Sequence, residues 1–185
     1  MKKAKHEKEK RGGSSYRWPL TAFLMAVVLS AMLTLASEAM LDGAGMAVAL
    51  LILLLFIGLG IVVDIIGTAV MSAAPKPFHS MAAHKERGAK HALMLLRNAD
   101  RVSNVCNDVV GDICGIVSGA TSAVIVTQLQ KGLSLQSVLI SVGVTALVSG
   151  MTIGGKAVGK PFAIKQSTRV VYLTGRFLYL FRRRR

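Results

Sequence analysis

Four stretches of this chain, Pro19 to Ala36, Ala44 to Ile66, Val105 to Thr127 and Leu133 to Ile153, contain no lysine or arginine. The segments between and around them carry all 23 of those cations. A hydrocarbon core of ~30 Å is crossed by about 20 helical residues, so each stretch is long enough to span it. The pattern predicts an all-α membrane protein: four transmembrane helices with cytoplasmic amphipathic juxtamembrane helices. Seven cations precede the first stretch, six lie between Lys76 and Arg101, nine follow from Lys156, and Lys131 stands alone. With a cytoplasmic N-terminus every cation but Lys131 stays inside, as the positive-inside rule requires. Both termini are therefore expected in the cytoplasm, with the chain in a plasma or bacterial inner membrane. The first stretch has an alternative reading as a cleaved signal ending near Thr34-Leu35-Ala36. Its length, and Tyr16 and Trp18 as an interfacial anchor, favour a retained helix.

Composition narrows the partners. The net charge of +14 would suit nucleic acid, but only 5% of residues are aromatic and no basic recognition helix with base-reading side chains is present. Anionic lipid headgroups account for the charge at about 1 kcal/mol for each cation near the surface. Cys106 and Cys114 fall inside one apolar stretch, where neither a disulfide nor a zinc site is expected. No serine, cysteine or histidine has an orienting base and third group at recognisable spacing, so the chain is not expected to be an enzyme.

The sequence divides into a disordered basic tail over 1–17, a transmembrane domain over 18–165 and a basic interfacial C-terminal helix over 166–185. Within the domain, residues 75–101 form the one sizeable polar loop. Pro75 and Pro77 end the second span, and apolar positions such as Phe78, Met81, Ala92 and Leu96 alternate with His79, His84, Lys85 and Lys90. That predicts one or two surface helices interrupted near Gly88. His84 and His91 are seven apart, but no carboxylate or cysteine completes a metal set there. After the last span, Val170, Leu173, Phe177 and Phe181 make an apolar stripe flanked by arginines, read as a lipid anchor or as a docking surface for a partner.

A carboxylate near a membrane helix centre costs ~2.5–3.5 kcal/mol, so polar groups in spans mark function. Asp64 lies near the inner end of the second span, and Asn104, Asn107, Asp108 and Asp112 near the start of the third. The two spans run in opposite directions, which sets these groups at similar depth. Asp108 and Asp112 share a face continued by Gly115 and Gly119, and Gly60, Asp64 and Gly67 repeat the arrangement. Small residues allow close helix approach, which predicts that the acids are held inside the bundle. Oxygen ligands of this kind suit magnesium or calcium; pairing of the acids with Arg101, Lys156 or Lys160 is the other reading.

The stretch GAKHALMLLRNADR at Gly88 to Arg101, followed by VCNDVVGDICG, resembles the transmembrane domain of the CorC/CorB and cyclin M-like (CNNM) family of magnesium transporters. Thr68-Ala69-Val70 match the end of that family's SGSETAL-like motif, Asn107 the asparagine of its GNTLVN-like helix opening, and Gly154 to Lys160 its GEIIPK-like segment. The resemblance implies bound Mg2+ as cargo, a homodimer, and a role for Asn107 at the ion. It departs at Gly67 and Lys156, where the family has glutamates, and at Gly159, where it has proline. Asp64, Asp108 and Asp112 are candidates to restore the lost charge. The form expected is divergent and without the paired CBS modules, so that a separate cytosolic regulatory protein is an expected partner. Two functions follow from this reading. One is divalent cation transport through Asn107, Asp108, Asp64 and Asp112; the other is a non-transporting scaffold whose basic face binds anionic lipid or a partner.

Overall fold

The computed structural model describes residues 17–41, 45–133 and 138–183, and every regular element among them is helical. Residues 1–16, where the basic tail is expected, and residues 42–44, 134–137 and 184–185 lie outside the described residues. In chain order the helices are α1 (Arg17–Leu41), α2 (Met46–Ser72), α3 (Lys76–Ala83), α4 (Ala89–Arg97), α5 (Ala99–Asn104), a π-helical turn (Val105–Val110), α6 (Gly111–Leu133), α7 (Val138–Lys165) and α8 (Ser167–Arg183).

Three rods are long and apolar enough to cross a membrane: Met46–Ser72, the continuous run Ala99–Gly132, and Val138–Lys165. The apolar part of α1, Phe23–Ala39, is shorter, at the lower end of the ~17–25 residues that span a bilayer. Among the described residues, three of the four expected spans therefore meet this measure. Large apolar side chains face outward along the rods, including Leu51, Leu55, Leu139, Leu147 and Ile153. An apolar surface of that extent marks contact with a membrane.

The expected span boundaries are also corrected, each toward greater length. α2 continues past Ile66 to Ser72 and stops where Ala73 turns extended, at φ −78° and ψ 133°, ahead of Pro75. The fourth rod does not end at Ile153 but runs through Gly154, Gly155 and Pro161 to Lys165. Glycine and proline disfavour helix, and close packing offsets that cost. Gly155 lies against Ile61 and Gly159 against Ile65, and Ala163 is fully buried.

α2 is the central helix, touching every other rod. Its contacts with α7 advance in step, Ile61 to Gly155 and Ile65 to Gly159, so the two run parallel. Its contacts with the third rod run in reverse, Gly60 to Cys114 and Gly67 to Asn107, so they are antiparallel. Three cores lie along α2. One joins Ile52 and Phe56 to Val109, Ile113 and Val117, with Ala26, Leu29 and Leu33 of α1 against it. A second joins Ala49, Leu53 and Ile57 to Ile125 and Val148. The third joins Ala69 and Val70 to Phe78, Ala92, Ala163 and Val171, one from each of α3, α4, α7 and α8.

This last cluster revises the reading of the juxtamembrane helices as lying separately on a surface. α4 and α8 pack directly on each other and on the end of α2. The contact is backbone-close: a Cβ on Gly175 would sit 2.8 Å from both Ala92 N and Gly88 O, and one on Gly88 would sit 2.6 Å from Arg176 Cα. Gly88 also has φ +92°, a conformation glycine adopts without steric cost. The predicted interruption near Gly88 is thus present, and its purpose is to admit α8. The expected stripe of Val170, Leu173 and Phe177 is not the buried face of α8: Val171 and Gly175 face the protein, Val170 is partly buried, and Leu173 and Phe177 stay exposed, while the side chain of Phe181 lies outside the described residues.

Candidate functional site

The polar residues singled out in the membrane do not form one set. Asp64 is only 5% exposed, on the α2 stripe between Gly60 and Gly67. The close approaches of Gly60 to Cys114 and of Gly67 to Asn107 set that stripe against the segment from Asn107 to Cys114, so Asp64 and Asn107 belong to one helix–helix contact at one depth. Asp108 and Asp112, with Gly115 and Gly119, are exposed and face away from α2. The expectation that all the acids are held inside a single chain's bundle is therefore corrected. An i, i+4 pair shares a face, but only the packing decides which face, and the buried one here carries Val109, Ile113 and Val117.

Asn107 sits in the π-helical turn, where the N–H of Gly111 reaches the carbonyl of Cys106, five residues back. Such turns widen a helix locally and are frequent at functional sites. The Asn107 amide donates from Nδ2 to Ser103 Oγ at 3.3 Å, which orients the carboxamide and leaves Oδ1 to other partners. Among the described residues, Asp64 Oδ2 and Asn107 Oδ1 are both buried oxygens with no hydrogen-bond donor. Buried polar atoms are paired in the great majority of cases, and an unpaired one costs about 1–3 kcal/mol, more when charged. The two unpaired acceptors thus belong to the two sides of the contact between α2 and the third rod.

Gly67 makes room for this arrangement, because a Cβ there would overlap the Asn107 carboxamide. Gly67→Ala is expected to swing Asn107 out of place and weaken any cation response at least tenfold, with little loss of helix content. Cation titration of thermal unfolding against circular dichroism checks it.

Lys156 enters the same region. It follows Gly155 on α7, is half-buried, and its Nζ lies 3.5 Å from where a Cβ on Gly111 would be. Among the described residues Lys156 and Lys160 form no ion pair with Asp64, Asp108 or Asp112, so the pairing reading finds no contact for these two cations. Between α6 and α7 a groove of about 190 Å³ is lined by hydroxyls, with Ser118, Ser122, Thr145 and Thr152 each donating to a carbonyl of its own helix. Donation within the helix satisfies the hydroxyl hydrogen and leaves the oxygen as an acceptor toward the groove. Cys106 and Cys114 are free thiols. His84 lies in the turn after α3 and His91 on α4, on opposite sides of the Gly88 break, and among the described residues no cluster of three metal-ligating side chains occurs.

The π turn and the support of Asn107 by Ser103 were not anticipated. Ser103 stands four residues before Asn107, so that hydrogen bond was open to a helical reading; the π turn has no periodicity signature.

No family model, curated protein or solved structure matches the chain. The structure defines the class: an all-helical protein with three helices able to span a membrane. None of these comparisons links the chain to CorC and CNNM transporters.

Proposed function

We propose that this protein binds a divalent cation, magnesium by the hardness of its oxygen ligands, and carries it across the membrane as a homodimer. The observation that carries the reading is the pair of buried acceptors without donors, Asp64 Oδ2 and Asn107 Oδ1, on facing helices at a π turn. Carboxylate and carboxamide oxygens are the ligands magnesium takes, usually alongside retained water. Asp108 and Asp112 serve the cation on its approach, from the outer face of the third rod. A second copy of the chain covers that face, which would otherwise set carboxylates against lipid at a cost of ~2.5–3.5 kcal/mol for one near mid-membrane. The cation-rich segments lie on the cytoplasmic side, following the positive-inside rule. The first helix is retained as a fourth, shorter membrane segment.

Lys156 favours a second reading. An ammonium beside Gly111 lowers the affinity of the contact for a cation, and a non-transporting scaffold with a basic lipid-binding face would have no use for such affinity. The two readings separate in magnesium flux into dye-loaded proteoliposomes under an imposed potential. Transport predicts flux that disappears in Asn107→Ala at equal insertion and increases in Lys156→Gln. Flux no higher than empty vesicles for both the intact chain and Lys156→Gln selects the scaffold.

A further inference from the structure

A second cavity lies apart from the polar contact, where α2 leaves the apolar region. It measures about 360 Å³ and is enclosed by the end of α2, the turn after it and the α3 to α5 segment. Val70, Met71, Leu93 and Leu96 supply apolar wall, and His79 and Arg97 stand among the lining residues. That volume is within the range of ~300–1,000 Å³ typical of small-molecule sites. Both His79 and Arg97 are exposed, and among the described residues neither side chain has a hydrogen-bond or ion-pair partner.

We propose that this cavity is a specific site for one anionic phospholipid, its phosphate held by Arg97 and His79 and the upper part of an acyl chain lying against Val70, Met71, Leu93 and Leu96. The charge is complementary: a guanidinium offers paired N–H donors in the geometry of phosphate oxygens, and an imidazole beside it adds a donor. The apolar wall distinguishes a lipid from a soluble anion, since inorganic phosphate gains nothing from methyl and methylene groups. Position agrees with both halves. α2 ends at Ser72, and Ala73 and Pro75 line the cavity just beyond it. A headgroup there is in water while its chain remains beside the membrane rod. Diffuse attraction from the net charge of +14 is shared over the whole basic face; the cavity adds a site that saturates at one lipid per chain. By bridging α2, α3 and α4, a lipid seated there would tie the packed juxtamembrane helices to the rod. The inference depends on the membrane assignment and is independent of cation transport.

The test uses the whole chain in non-ionic detergent, with native mass spectrometry and thermal unfolding during titration with phosphatidylglycerol, phosphatidylcholine or inorganic phosphate. The expected result is one retained phosphatidylglycerol per chain, at least tenfold weaker retention in Arg97→Gln and in the cavity-filling Leu96→Trp, and substantial recovery in Arg97→Lys. Arg169→Gln, an exposed cation on α8 away from the cavity, should change retention less than twofold. Equal loss in Arg169→Gln and Arg97→Gln would overturn the site in favour of diffuse surface attraction. Equal retention of phosphatidylcholine would remove the role of charge. Stabilisation by inorganic phosphate at the same concentration would make it a soluble-anion site. If Arg97→Gln does not fold, Leu96→Trp alone decides: undiminished retention in a folded Leu96→Trp chain overturns the proposal.

Discussion

Asp64→Asn should stabilise the cation-free protein and at the same time abolish its stabilisation by magnesium. The two effects have one origin. Asp64 is 5% exposed and its Oδ2 has no donor, so the native state without cation holds a charge in a poor environment. The effective penalty for a buried, unpaired ion is several kcal/mol. Asparagine fills the same volume without the charge, and unfolding in a chelator should become harder by more than about 1 kcal/mol. A bound cation offsets the penalty in the intact protein. At a hundredfold excess over the dissociation constant, ligand binding adds about 2.7 kcal/mol to stability, and the variant should lack it. Differential scanning calorimetry with chelator and with magnesium measures both. A fall in chelator stability for Asp64→Asn would mean that the carboxylate already has a favourable partner, and the cation reading would fail.

Gly88→Val is expected to detach α8 from α4. The introduced Cβ meets the backbone of Arg176 at 2.6 Å, and backbone cannot rotate away as a side-chain terminus can. The φ of +92° is a second, independent penalty, since a non-glycine residue held in such a region costs about 1–3 kcal/mol. Overpacking adds typically 1–3 kcal/mol, so the sum exceeds what a small helix contact supplies. Amide exchange across 167–183 should rise at least tenfold while the exchange of α2 stays as it was. Gly155→Ala is the control. Its Cβ would meet the Cδ1 of Ile61, the mobile end of a side chain, and a rotamer change absorbs it at under about 1.5 kcal/mol. Protection of α8 equal to the parent in Gly88→Val would show that the contact through Gly88 and Gly175 does not hold the helix.

The two variants act at opposite ends of one structural theme. α2 carries Gly60 and Gly67 toward the third rod, where they border the polar contact, and Ala69 and Val70 toward the juxtamembrane helices, where they build a small apolar core. The polar contact and the lipid cavity are therefore joined through α2 itself. Val70 contributes to both the core and the cavity wall.

The helical, membrane-bound character of the chain is written in its residues because it depends on solvent alone. Long apolar stretches avoid water, and backbone groups in lipid must be satisfied within a helix. The break before Pro75, the interruption at Gly88 and the common depth of Asp64 and Asn107 were legible for the same local reason: proline and glycine act on their own backbone, and helix direction follows from counting spans. What faces what was not local. Val109 and Ile113 rather than Asp108 and Asp112 turn toward α2, because several apolar side chains bury more area against Ile52 and Phe56 than two carboxylates could repay. The helix of the fourth rod outlasts its apolar stretch because Gly155, Gly159 and Ala163 pack on α2, a gain that no helix propensity contains. The π turn at Asn107, the ammonium of Lys156 beside Gly111 and the seat of α8 on Gly88 are likewise products of tertiary contact, since each depends on a neighbour far away in the chain.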